Sequence, residues 1–176
     1  HQERKMITIV DNFLNEIELK NLEETIKNKE YRLLDDTGNH VGEYTKYRWF
    51  IIDSALRSSE HRYPLLKKLS DVYGEEAPTE NLNTMQLFAK IFDKDSFCDH
   101  HREDPHIYGN WVFMLYLTDE IDGAFCAEGL SVLPKRNRVL ITKVGFEHWV
   151  EKCSGTRLNI TGWSFCTDEV IKRWSS

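Results

Sequence analysis

Three histidines crowd into one short stretch, Asp99-His100-His101-Arg102-Glu103-Asp104-Pro105-His106, and a fourth, His148, stands far downstream with Arg157 nine residues after it. These residue types suit a mononuclear non-haem iron site. Such a site needs two neutral imidazoles and one carboxylate on one face of an octahedral metal, with the opposite face open to co-substrate and O₂. His101-x-Glu103 supplies the first pair, because side chains at i and i+2 of an extended chain point the same way. His148 would complete the set from a facing strand. Taking His100 as the first ligand instead puts Arg102 at the carboxylate position, which cannot bind a cation, so His101 is preferred. Asp104, next to Glu103, is the alternative carboxylate.

Arg157 fits a second task. An oxoacid such as 2-oxoglutarate chelates iron through its 2-oxo acid end, and its distal carboxylate must then be held deeper in the protein. A guanidinium does this well, because its planar fork bonds a carboxylate bidentately. Tyr116, in the apolar run before Leu117, could add a hydroxyl to the same carboxylate. His106, His40 and His61 read as surface residues. Cys98 lies close to the proposed ligands and reads as a small buried residue.

These groups need a frame. Met6 to Val10 is β-branched and apolar and predicts a strand. Asn15-Glu16-Ile17-Glu18 has the form of a capping box, and Leu14, Ile17, Leu22 and Ile26 follow at roughly helical spacing, predicting a helix to about Asn28. Tyr47 to Asp53 predicts a strand. Pro64 opens a second predicted helix that Gly74 ends. From Asn83 the pattern changes to short β-prone runs: Met85 to Phe92, Trp111 to Leu117, Leu130 to Leu133, Val139 to Thr142, Trp149 to Glu151 and Leu158 to Trp163. Turn residues separate them, as in a double-sheet jelly roll. The expected fold is α+β, mainly β, braced by N-terminal helices. Lys135, Arg136 and Arg138 read as a charged hairpin turn.

Composition narrows the classes. The 176 residues and 40% apolar content fit a single domain over 1–176. A net charge of −6 argues against a nucleic-acid binder. No apolar run is long enough for a membrane span. Cys98, Cys126, Cys153 and Cys166 form no C-x-x-C pair and read as reduced thiols, so a cytoplasmic location is expected.

The segment from about Asn83 to Trp163 resembles the double-stranded β-helix core of the prolyl 4-hydroxylase-like 2-oxoglutarate/iron(II) dioxygenases. Asp95 to Glu103 resembles the approach to that family's H-x-D motif. Phe113-Met114-Leu115-Tyr116-Leu117-Thr118 resembles its "YLN" strand, and Asp122-Gly123 stands where a Gly-Gly pair is usual. Val132 to Arg138 resembles its Pro-containing hairpin. His148-x₈-Arg157 followed by Trp163 resembles its distal histidine and oxoacid-binding arginine. The opening Ile7 to Leu14 also matches, whereas Tyr31 to Asn83 contributes little. The family usually has Asp where Glu103 stands.

The resemblance implies Fe(II), 2-oxoglutarate and O₂ as cofactor and co-substrates. His101, Glu103 and His148 would bind metal, and Arg157 with Tyr116 would bind the oxoacid. It implies hydroxylation of a C–H bond in a peptidyl prolyl or other protein residue, or in a small molecule such as an amino acid. Loops Asp35 to Thr45 and Ala77 to Leu82 would approach that substrate. Two rivals share the fold class: a non-catalytic metal- or ligand-binding module, and a cupin-like metalloenzyme that uses no oxoacid. The latter would need His106 to point inward.

Overall fold

A computed structural model describes residues 7–27, 32–36, 45–51, 68 and 86–163. The chain opens with β1 (Ile7–Val10) and α1 (Glu16–Ile26). It continues through β2 (Arg32–Asp36), β3 (Thr45–Ile51), β4 (Gln86–Phe92) and β5 (Phe97–His101). A single helical turn, α2 (Pro105–Tyr108), leads to β6 (Trp111–Tyr116), β7 (Phe125–Ala127) and β8 (Leu130–Val132). Then come β9 (Val139–Lys143), β10 (His148–Val150) and β11 (Arg157–Trp163). The predicted helix from Pro64 and the two predicted substrate loops lie outside the described residues, apart from Lys68, Asp35, Asp36 and Thr45.

All strand pairs among the described residues are antiparallel. Their order is β1-β9-β6-β11-β4-β3-β5-β10-β7-β8, with β2 on β3. β3 is the joint. Its Arg48 to Ile51 pair with β4, while Thr45 and Lys46 pair with β5. The path therefore divides into a larger sheet, β1-β9-β6-β11-β4, and a smaller one, β5-β10-β7-β8.

Strand alternation gives the larger sheet two apolar faces. Phe113, Leu115, Leu117, Val139, Ile141 and Ile160 face the helix side and cluster with Leu19, Leu22 and Ile26 of α1. Their neighbours Met114, Tyr116 and Leu140 face inward and cluster with Phe125, Val132 and Val150 of the smaller sheet. Among the described residues α1 thus covers the outside of a two-layered jelly roll; the jelly roll is as expected from the sequence, and the second helix expected to brace it lies outside the described residues, Lys68 apart.

The capping box is present in full. Glu18 N donates to Asn15 Oδ1 at 2.8 Å and Asn15 N donates to Glu18 Oε1 at 3.0 Å. A second lock was not foreseen. Buried Asn137 adopts φ 67°, a conformation Asn tolerates better than most residues. Its side chain accepts from Leu14 N at 2.9 Å and donates to Leu14 O at 2.6 Å. Its own N–H donates to Tyr116 O at 2.8 Å. The helix start, the turn before β9 and the end of β6 are therefore tied at one residue. The basic hairpin serves the same junction. Arg138 forks onto Asp11 at 2.6 and 3.2 Å, and Arg136 bridges Glu16 and Glu23 at 3.2 and 2.6 Å.

Candidate metal centre

His101 is the last residue of β5 and His148 the first of β10, and the two are paired in register. Glu103 follows two residues after His101, while Arg102 between them turns outward and is exposed. The i, i+2 argument from sequence therefore holds past the strand end. The candidate ligand atoms of His101, Glu103 and His148 lie within 4.8 Å of one another. His101 Nε2 is 3.0 Å from Glu103 Oε1, and His148 Nε2 is 3.2 Å from Glu103 Oε2. His101 and Glu103 are buried and His148 is half-buried.

The far side of each ring fixes which nitrogen is presented. His101 Nδ1 lies 2.6 Å from Asp99 O, and His148 Nδ1 lies 3.1 Å from Phe146 O. A carbonyl only accepts, so each Nδ1 carries the proton and each Nε2 offers a lone pair to the centre. Four acceptors, two imidazole nitrogens and two carboxylate oxygens, thus converge and need positive charge between them. Without a metal, protons supply it. Burial pushes the Glu103 carboxyl up, but His148 and His101 outweigh this and hold it well below the usual range. Burial pulls His148 down, and Glu103 more than reverses it. A divalent cation satisfies the same four acceptors at once, so the residues present fit a 2-His-1-carboxylate metal.

The alternatives considered for this site point elsewhere. His100 is exposed and stacks on Trp149 at 4.1 Å. Asp104 is exposed and caps α2, accepting from His106 N at 2.8 Å. His106 itself is exposed, which removes the extra ligand a cupin-like site would need.

Arg157 lines the same pocket and is 1% exposed. Its Nη1 donates to Gly123 O at 2.8 Å, and its guanidinium lies over the Phe92 ring at 3.7 Å. Burial pulls it below the ordinary guanidinium range, although it stays charged. Its Nε has no hydrogen-bond partner, and neither does the fully buried Tyr116 hydroxyl. Burial raises Tyr116, so the phenol remains a donor. A buried cation and a buried hydroxyl, both with donors unused, suit one anionic group. That is the fit the co-substrate's distal carboxylate requires.

Three further residues shape this pocket without having been singled out in sequence for it. Gly123 presents its carbonyl to Arg157 from φ 73°, and a Cβ there would lie 2.9 Å from Cys153 Cβ. Asn159 and Lys90 face each other in register on β11 and β4 and line the pocket wall. The signals were slight: an Asp-Gly turn, a polar residue two after Arg157, and one lysine in an apolar strand. Cys98, Cys126 and Cys153 are buried and form no disulfide among the described residues, as expected; Cys166 lies outside the described residues.

No protein-family model matches the sequence, and comparison with curated proteins finds no match. Solved structures do match. A prolyl hydroxylase from Trichoplax adhaerens, in complex with a hypoxia inducible factor peptide fragment, superposes with TM-score 0.68 at 15% identity, over 97% of this chain and 87% of that one. A viral collagen prolyl hydroxylase from Paramecium Bursaria Chlorella virus-1, solved as a 2OG complex, gives 0.65 at 13% identity over 90% and 95%. A Pseudomonas putida prolyl-4-hydroxylase gives 0.62 at 14% identity over 90% and 91%. The chain has the jelly-roll fold of the prolyl hydroxylases and related 2OG-Fe(II) oxygenases. Among the described residues no helix is long and apolar enough to cross a membrane.

Proposed function

We propose that this protein is an Fe(II)- and 2-oxoglutarate-dependent dioxygenase. The observation that carries the reading is the convergence of His101, Glu103 and His148 in one pocket with a buried Arg157 whose Nε has no partner. His101, Glu103 and His148 hold the iron, and Arg157 with Tyr116 holds the co-substrate. When bound, iron and 2-oxoglutarate supply O₂ activation coupled to loss of CO₂ and formation of succinate.

The chain's own residues do the positioning. The Asp99 and Phe146 carbonyls hold both imidazoles in the tautomer that presents Nε2. Gly123 O and the Phe92 ring aim the guanidinium. Phe125 and Phe146 flank His148 at 5.2 and 5.7 Å and pack against its ring. The substrate offers a C–H bond, in a peptidyl prolyl or other protein residue or in a small molecule such as an amino acid. Iron-dependent formation of succinate from 2-oxoglutarate tests the assignment. It should appear in wild type and be abolished in His148→Ala, and its absence from folded, iron-loaded protein would leave only a binding module on the same fold.

A further inference from the structure

The pocket contains a buried amide that neither the metal ligands nor the arginine–tyrosine pair accounts for. Asn159 stands two residues after Arg157 on β11, so the two side chains point to the same face. Both line the pocket. Across the sheet Asn159 is in register with Tyr116 of β6. The Arg157 guanidinium lies 5.7 Å from the centre of the Tyr116 ring. The three residues therefore occupy neighbouring positions, separated by one strand step and one cross-strand pair. Arg157 and Asn159 are each 1% exposed, and Tyr116 is fully buried.

Each of the three carries an unused polar atom. Among the described residues, Arg157 Nε, the Tyr116 hydroxyl and Asn159 Oδ1 have no hydrogen-bond partner. A buried amide oxygen left in that state is costly. The other end of the amide is anchored, because Nδ2 donates to Thr161 Oγ1 at 2.9 Å. A threonine hydroxyl donates as well as it accepts. A half-turn of the amide therefore lets Oδ1 accept from the same hydroxyl and turns Nδ2 toward Arg157 and Tyr116. Thr161 holds one end of the amide in either orientation, and the other end is left for a ligand. Arg157 and Tyr116 both offer donors, so a ligand that meets them is an acceptor, and it selects the orientation with Nδ2 inward. A carboxylate has about four lone-pair sites. A guanidinium and a phenol leave room on it for a third donor.

We propose that Asn159, held by Thr161, is a third binding residue for the distal carboxylate of the oxoacid, beside Arg157 and Tyr116. This rests on the dioxygenase reading and deepens it. Three buried donors around one carboxylate select a dicarboxylate oxoacid over a 2-oxo acid that ends in an apolar group, because the latter leaves all three unpaired.

The test uses the intact chain with Fe(II) under anaerobic conditions, in wild type, Asn159→Leu and Asn159→Ala. Leucine keeps the volume and removes the polar atoms; alanine adds no bulk, so either folded variant decides. Two probes are titrated by the visible charge-transfer band. One is 2-oxoglutarate. The other is 2-oxopentanoate, which has the same chelating end and a methyl group in place of the distal carboxylate. In the variants 2-oxoglutarate affinity should fall roughly ten-fold or more, the effect of one hydrogen bond to a charged group. Affinities for Fe(II) and for 2-oxopentanoate should stay within about two-fold of wild type. The ligand-free Tm of Asn159→Leu should not fall, because the change removes a buried oxygen without a partner. The proposal is overturned if the variants titrate 2-oxoglutarate as wild type does. It is also overturned if affinity for both oxoacids falls alike, if Fe(II) affinity falls in parallel, or if neither variant folds, since each makes Asn159 a structural residue or one of the chelating end. If 2-oxopentanoate gives no band even in wild type, the 2-oxoglutarate and Fe(II) titrations decide. A folded wild type that never forms the band with 2-oxoglutarate is a different failure: the dioxygenase reading itself falls, and this proposal with it.

Discussion

His101 and His148 stand opposite each other across β5 and β10, with ring centres 4.2 Å apart and one Glu103 oxygen directed at each Nε2. The carboxylate is thus shared by two imidazoles whose other nitrogens are already committed to backbone carbonyls. Removing it should abolish the site. Glu103→Gln is expected to lower Fe(II) affinity by more than the roughly 10- to 100-fold typical of outer-shell changes, whereas Asp104→Asn should leave it unchanged. Anaerobic calorimetric titration with Fe(II) distinguishes them. Equal losses in both variants would mean that the carboxylate ligand is misassigned.

Tyr116 makes an opposed pair of expectations. Its buried hydroxyl has no partner in the ligand-free protein, so Tyr116→Phe removes a desolvated group and should leave stability unchanged or slightly higher. The same change should weaken 2-oxoglutarate binding by about 1–1.5 kcal/mol, roughly ten-fold. Thermal melts without ligand and titrations with it give the two numbers. A destabilised variant with normal 2-oxoglutarate affinity would make Tyr116 a packing residue only.

Gly123→Ala should damage fold and pocket together. The backbone sits at φ 73°, and the added methyl would meet Cys153 Cβ at 2.9 Å. A loss of at least ~1 kcal/mol is expected, lowering Tm by about 2–4 °C or more in a chain of this size. Because the Gly123 carbonyl holds Arg157, 2-oxoglutarate affinity should fall as well. Normal affinity in the folded variant would show that Arg157 does not depend on this contact.

The Asp11–Arg138 pair sets a pH dependence. The hydrogen bond from Arg138 lowers the Asp11 carboxyl below its ordinary 3.8, despite some desolvation. A depressed folded-state value stabilises above the unfolded pKa and is lost as pH falls through the folded one. The difference in urea midpoint between wild type and Asp11→Asn should therefore be present at pH 7 and shrink below about pH 4. It should be modest, because the pair is partly exposed. A difference that grows on acidification would contradict the assignment.

Much of this arrangement could be read from residue order, for physical reasons that differ by element. His101 and Glu103 were findable because an extended chain repeats every two residues, and Arg157 because a guanidinium after a distal histidine has an obvious use. The capping box of α1 was findable because it is purely local. β5 was not foreseen as a strand: Asp99, His100 and His101 are polar, and the pattern that marks strands is apolar. β7 and α2 are too short to show a period. Asn137 and Gly123 act through backbone contacts to segments distant in sequence, which nothing local announces. Lys90 and Asn159 meet only because β4 and β11 pair in one particular register.

A single pocket that holds both iron and 2-oxoglutarate has a spectroscopic signature. The most direct measurement is anaerobic titration of the protein with Fe(II) and 2-oxoglutarate, following the weak visible charge-transfer band of the chelate, with His148→Ala and Arg157→Ala in parallel. A band is expected in wild type, with its loss in His148→Ala and a much higher 2-oxoglutarate requirement in Arg157→Ala. A folded wild-type protein that shows no band, or variants that titrate like wild type, would contradict it.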